Sequence, residues 1–207
     1  IAFDGDGDRV IMVDENGTLV DGDQLLYLIM QFYIKEGYEF GGVVGTHMTN
    51  LAFEEKCKMQ SIPFARANVG DRYVSEELDR RKWVLGGENS GHILVKNLHS
   101  TGDGVISALQ VLSYLVKNKK SLKNALTEIQ LYPQILINIP TENKVNLKSK
   151  TVKNAIKESE IIMKGKGRTL IRASGTQPLV RVMTEGPLRK EVLKAAKFLT
   201  EKIKEII

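Results

Sequence analysis

The chain has 207 residues, 42% hydrophobic and 27% charged, with a formal net charge of +5 at pH 7. That balance describes an ordinary globular protein of one large or two smaller domains and excludes a disordered chain. No apolar run reaches membrane-spanning length and no stretch has the pattern of a secretory leader, so a soluble, cytoplasmic protein is expected.

The charge suits an anionic ligand. It is too small for nucleic acid, and no basic stripe interleaves with aromatics. The lone cysteine, Cys57, lies in a helical-looking stretch, AFEEKCKMQ, with no partner for an internal disulfide or a zinc site, and reads as a buried or half-buried bystander. The chain opens on Ile1 and enters an apolar strand at once, as a chain cut from something longer would.

The first stretch, IAFDGDGDRV, sets Asp4, Asp6 and Asp8 in strict alternation with glycines, followed by Arg9. Like charges so close destabilise a chain unless something positive sits among them, and a hard cation with oxygen ligands answers that need. Gly5 and Gly7 permit the tight turn that lets the carboxylates converge. Calcium in an EF-hand is the competing reading, since Asp4, Asp6, Asp8 and Glu15 fall at the first, third, fifth and twelfth loop positions and Ile11 also suits. Arg9 stands where that loop needs glycine, and the flanks IAF and VIMV read as strands rather than helices. Turn-capping alone would explain one aspartate but not three. Magnesium completed by a phosphate fits better.

VIMVDENGTLV predicts a hairpin turning at Asn16 and Gly17. A helix follows, capped by Asp21 or Asp23 and stopped by Gly37. Strand and helix then alternate: GGVVGT, NLAFEEKCKMQ, IPFARA, DRYVSEELDRR, KWVLGG, then the strand HILVKN and the helix DGVISALQVLSYLVKN. Such alternation predicts an α/β layer with a mixed, mostly parallel sheet. Near Tyr132 and Pro133 the character changes. QILINIP, GRTLIRA and LVRVMTEG read as strands, residues 148–163 as a helix with a solvated lysine-rich face, and about Pro187 to the end as a last amphipathic helix. This is a small α+β domain, with the boundary near residue 132.

Three more polar stretches invite a ligand. VLGGENSGHI ends a strand in a glycine-rich turn bearing Glu88, Asn89, Ser90 and His92, at the carboxyl end where α/β sheets bind ligands. Its carboxylate and hydroxyl suit sugar hydroxyls, although an ordinary turn also accounts for it. RASGTQPLVR joins two strands and combines Arg172, Ser174, Gly175, Thr176 and Arg181, a set for phosphate (guanidinium forks, hydroxyls and a backbone nest), whereas a plain hairpin loop with a surface arginine would not require Arg, Ser, Gly and Thr together. In NVGDRYVSEEL, Asp71 can cap a helix or serve as a ligand, and Arg72 can bind an anion. His47, in GTHMTN, sits at a strand end, where a lone histidine is usually structural.

Taken in order, FDGDGDR, VGDRYV, GGENSGH and RASGTQPLVRV resemble the α-D-phosphohexomutase superfamily over essentially the whole chain, and its glucosamine branch more than its phosphomannomutase/phosphoglucomutase branch. The resemblance implies four domains around one cleft. Residues 1–20 would end the second domain with the metal loop, 21–131 would be the α/β sugar-binding third, and 132–207 the α+β phosphate-binding fourth. It implies the interconversion of glucosamine 6-phosphate and glucosamine 1-phosphate through a 1,6-bisphosphate, with glucosamine 1,6-bisphosphate or glucose 1,6-bisphosphate as activator. Asp4, Asp6 and Asp8 would hold Mg2+. Arg9 would stabilise the phosphoryl group in transfer. Glu88, Ser90 and His92 would contact the sugar, and Arg172, Ser174, Gly175, Thr176 and Arg181 the non-reacting phosphate. The partner implied is a hexosamine phosphate, with neither nucleic acid nor membrane, and a homodimer is left open.

The family's donor is a phosphorylated serine in a Ser-His-Asn-containing loop of its first domain, and no such loop occurs within these residues. Neither Ser90 nor Ser174 has a neighbouring base that would make it a nucleophile. The expectation is therefore a carboxyl-terminal half that binds sugar phosphate and does not turn it over. Gln177 stands where the family has glutamate, and MTN replaces MSN around Thr49. A glucose- or mannose-phosphate mutase and a non-catalytic sugar-phosphate module are the alternatives.

Overall fold

The computed structural model describes residues 1–141, 146–174 and 177–206. It divides into two compact units, Ile1–Leu131 and Tyr132–Ile207. Among the described residues no helix is long and apolar enough to cross a membrane.

The first unit begins with β1 (Ala2–Phe3), β2 (Val10–Val13) and β3 (Leu19–Val20), an antiparallel sheet in the order β1-β2-β3. The β2–β3 hairpin turns at the predicted Asn-Gly pair. Asp14 Oδ1 accepts from the backbone N–H groups of Asn16 and Thr18 at 2.9 and 2.8 Å, and Gly17 takes the left-handed conformation the turn needs, with φ of 81°.

Helix α1 (Gly22–Glu36) starts in a capping box. Asp21 accepts from Gln24 N–H at 3.1 Å, and Gln24 reaches back to Asp21 N–H at 3.2 Å. Asp21 is thus the cap, while Asp23 is buried and accepts from Asn50 N–H at 2.8 Å. Leu25 to Met30 are all buried, so α1 lies inside the core rather than on it.

The alternating stretch folds as β4 (Val43–Thr46), α2 (Leu51–Met59), β5 (Phe64–Ala67), α3 (Asp71–Arg81), β6 (Leu85–Gly87) and β7 (Ile93–Val95). Its sheet runs β5-β4-β6-β7, parallel except for the β6–β7 pair. Helix α4 (Gly104–Asn118), capped by Asp103, packs beside α1. A short turn of helix, α5 (Leu122–Ala125), was not expected from the pattern. Cys57 is fully buried beside Met30, and burial pushes its thiol pKa up to about 12.

The second unit contains β8 (Gln134–Pro140), α6 (Lys150–Ile162), β9 (Arg168–Ala173), β10 (Leu179–Glu185) and α7 (Arg189–Lys204). Its sheet is antiparallel in the order β8-β10-β9. Ile139, Val180 and Val182 on one face pack against Val152 and Ala155 of α6 and Leu199 and Ile203 of α7. Lys150, Lys153 and Lys157 are exposed, the solvated face that the lysine crowding predicted.

Candidate active site

The acidic loop is the connection between β1 and β2, whose pairing of Phe3 with Val10 leaves Asp4 to Arg9 to make a tight reversal. Gly7 sits at φ 76°, and oxygens of Asp4, Asp6 and Asp8 come within 4.8 Å of one another. Arg9 supplies the internal counter-charge. Its backbone N–H and Nε donate to Asp4 at 3.1 and 2.6 Å, and Nε lies 3.5 Å from Asp8. Desolvation acts to raise the Asp4 carboxyl, but the hydrogen bonds and charge of Arg9 outweigh it and hold that group below the usual carboxylate range.

Oδ1 of Asp8, the oxygen that Arg9 Nε faces at 3.5 Å, is buried without a hydrogen-bond partner among the described residues. A convergent all-carboxylate set with an unsatisfied oxygen fits a hard divalent cation. Glu15, the twelfth EF-hand position, instead accepts from the Ser121 hydroxyl and from Lys123 N–H at 3.3 Å, at the start of α5. With strands on both flanks, the loop is not an EF-hand.

The glycine-rich turn after β6 is built against this loop. Val10 N–H donates to Gly91 O at 3.1 Å, and Arg9 pairs with His92 in a short antiparallel bridge. Gly91 has φ of 93°, and a Cβ there would meet the Val10 carbonyl oxygen at 2.2 Å. From the other side Gly22 N–H donates to Asn89 O at 3.1 Å, and a Cβ on Gly22 would lie 2.1 Å from Glu88 O. Glycine is required here because three backbones meet.

Glu88 receives Gly70 N–H at 2.8 Å, which ties VGDRYV to GGENSGH. Gly70, with φ of 128°, is the N-cap of α3 and Asp71 is its first helical residue. Asp71 therefore does not cap the helix, because the chain enters α3 in a glycine-only conformation and Asp71 already lies inside it. It lines a cleft of about 360 Å³ together with Asp8, Arg72, His92, Thr101 and Gly102. Arg72 is exposed and pairs with Glu76 at 2.7 Å. Ser90 is exposed and borders a smaller pocket with Asp4 and Arg9. His92, expected as a sugar contact, is 7% exposed, with Nδ1 3.1 Å from Asp8 Oδ2. His47 lines a separate cleft with Arg66, Tyr73 and Arg80. Thr49 is buried and its hydroxyl accepts from Thr46 N–H at 2.8 Å, so a hydroxyl is what that position needs.

Ser100, Thr101 and Gly102 were missed as cleft residues. The cluster HSTGDG directly after an apolar strand was the available signal.

In the second unit, Arg172 and Arg181 are direct cross-strand partners, with Asn138 next in the same row on β8. Both arginine Nε atoms are buried without a hydrogen-bond partner among the described residues. Burial, then the facing Arg181, lowers the Arg172 pKa from its ordinary value. Like charges directly opposite destabilise a sheet, so the arrangement is one that an anion would relieve. Ser174 N–H donates to Leu179 O at 2.9 Å, closing the base of the loop. Gly175 and Thr176 lie outside the described residues.

Comparison with known proteins places the chain in a family. The family profile of phosphoglucomutase/phosphomannomutase, alpha/beta/alpha domain III, matches residues 21–132, and that of the phosphoglucomutase/phosphomannomutase C-terminal domain matches residues 136–202. Phosphoglucosamine mutase of Methylobacillus flagellatus is 50% identical over 206 residues, which cover 99% of this chain and 46% of that protein. The chain thus spans about half the length of the curated relatives it matches. The crystal structure of Aspergillus fumigatus N-acetylphosphoglucosamine mutase in complex with GlcNAc-6P and magnesium superimposes with a TM-score of 0.77 at 22% identity, covering 97% of this chain and 51% of that one. A structure of a variant of the same fungal enzyme with glucose 1,6-bisphosphate gives 0.75 at 22% identity, covering 98% and 47%.

Proposed function

The chain belongs to the phosphoglucomutase/phosphomannomutase family, and from that premise we propose that it forms the metal-, sugar- and phosphate-binding part of a phosphoglucosamine mutase, interconverting glucosamine 6-phosphate and glucosamine 1-phosphate. On this reading residues 1–20 close the family's second domain, 21–131 are its third and 132–207 its fourth. The observation that carries the proposal is the acidic loop docked on the GGENSGH turn, with Asp4, Asp6 and Asp8 converging within 4.8 Å and Ser90 bordering a pocket with Asp4 and Arg9.

Asp4, Asp6 and Asp8 would hold magnesium, which when bound supplies charge neutralisation for the oxygens of a phosphoryl group in transfer. Arg9 adds a cation beside the loop. Glu88, braced by Gly70 N–H, and Ser90 recognise sugar hydroxyls. Arg172 and Arg181 take the phosphate that does not react, contributing binding energy that aligns the substrate. The phosphoryl donor is not among these 207 residues. A sugar 1,6-bisphosphate is the activator.

Phosphorus NMR tests this. Glucosamine 6-phosphate with magnesium and a trace of glucose 1,6-bisphosphate is recorded before and after adding the chain. A shifted or broadened substrate resonance, larger than that of glucose 6-phosphate under the same conditions, is expected without a 1-phosphate signal. An unchanged spectrum overturns the binding role. Steady formation of glucosamine 1-phosphate overturns the assignment of the donor to residues outside the chain.

A further inference from the structure

His92 has a place in the site that sugar contact does not explain. It is buried, it follows the glycine-rich turn, and its Nδ1 faces Asp8 Oδ2 at 3.1 Å. The opposite edge of the ring is seated on Gly102, where a Cβ would stand 2.2 Å from Nε2 and 2.5 Å from Cε1. Backbone pairing of Arg9 with His92, and of Val10 N–H with Gly91 O at 3.1 Å, holds the ring at that height. From a third direction Gly104 N–H, at the start of α4, donates to Gly7 O at 2.9 Å.

We infer that His92 is a positioning residue: it fixes the rotamer of Asp8 so that the buried Oδ1 is presented to the cation, and Gly102 is the seat that keeps the imidazole in place. The inference rests on the proposed metal role of the acidic loop. Two of the three carboxylates are then oriented by the protein itself, Asp4 by Arg9 and Asp8 by His92. Because His92 directly follows the turn that bears Glu88 and Ser90, its contact with Asp8 also links that turn to the acidic loop. A partner that orients a ligating carboxylate typically changes metal affinity by roughly 10–100-fold.

The test is Mn2+ binding to the whole chain, read by electron paramagnetic resonance of the free ion, with circular dichroism to confirm folding. His92→Phe keeps the ring volume and removes the hydrogen bond, whereas His92→Asn places an amide donor close to the position of Nδ1. Gly102→Ala leaves every polar group in place and displaces the ring. The expected result is about tenfold weaker Mn2+ binding for His92→Phe and Gly102→Ala, with His92→Asn within about threefold of the unaltered chain. Equal losses for His92→Phe and His92→Asn, or no loss for His92→Phe, overturn the positioning role while leaving the metal loop standing. Failure of the unaltered chain to bind Mn2+ overturns both. If His92→Phe does not fold, the contrast between Gly102→Ala and His92→Asn decides.

Discussion

The acidic loop of the first unit and the arginine row of the second pose the same electrostatic problem with opposite sign and resolve it differently. In the loop, repulsion among Asp4, Asp6 and Asp8 is partly cancelled within the fold by Arg9, and His92 Nδ1 faces Asp8 Oδ2 at 3.1 Å. In the arginine row the Nε atoms of Arg172 and Arg181 have no hydrogen-bond partner among the described residues, and burial, then the facing Arg181, lowers the Arg172 pKa. The same sheet shows that an answer was available. Four residues along β9, Arg168 faces Glu185, which is fully buried and bonded to it. Under the proposed function the cation site would be organised in advance by neighbours that also fix its ligands, whereas the arginine row would stay unrelieved until an anion arrives.

The largest effect is expected where that internal answer is removed. Glu185→Gln leaves Arg168 facing a neutral amide in a buried setting and should cost about 3–5 kcal/mol, read by urea unfolding followed through amide exchange on β8 and β10. A loss comparable with that of a surface ion pair would break the contrast between the two ends of the sheet. Next comes the joint between loop and turn. Gly91→Ala must abandon φ of 93° or strike the Val10 carbonyl at 2.2 Å. Strain alone predicts a loss of about 1–3 kcal/mol, together with weaker Mn2+ binding.

Arg172→Gln should separate stability from function. Relief of a like-charge pair stabilises the unliganded unit by about 0.2–1 kcal/mol. Loss of a charge-assisted contact lowers affinity for glucosamine 6-phosphate roughly tenfold or more, measured by titration calorimetry. Simple destabilisation, with phosphate affinity unchanged, would remove the basis for calling the row an anion site.

The smallest effect concerns a cluster that belongs to neither, beside the cleft that His47 lines. Hydrogen bonds from Arg80 and then Arg81 lower the Glu77 pKa to about 2. A depressed carboxylate stabilises the fold above its unfolded pKa of about 4.5, and that contribution is lost as the pH falls toward about 2. Glu77→Gln should therefore flatten the acid limb of α3 unfolding between those values, by little because the arginines are partly exposed and screened.

Much of this chemistry was legible without coordinates because it is local. Alternating Asp and Gly before Val10, the Asn-Gly turn, the Asp21-x-x-Gln24 cap and the strand–helix alternation are set by spacings of a few residues. The arginine pair was legible as two arginines on neighbouring strands. The sequence alone therefore determined the element types and the residue types proposed to hold metal, sugar and phosphate. Tertiary structure alone decided that Glu88 would meet Gly70, that Glu15 would serve α5 rather than the acidic loop, that Asp71 would line a cleft instead of capping, and that His92 would turn to Asp8 across a separation of 84 residues. Local periodicity reports which face of an element is apolar, but where a polar side chain finds its partner depends on strand register and on how closely glycine lets backbones approach.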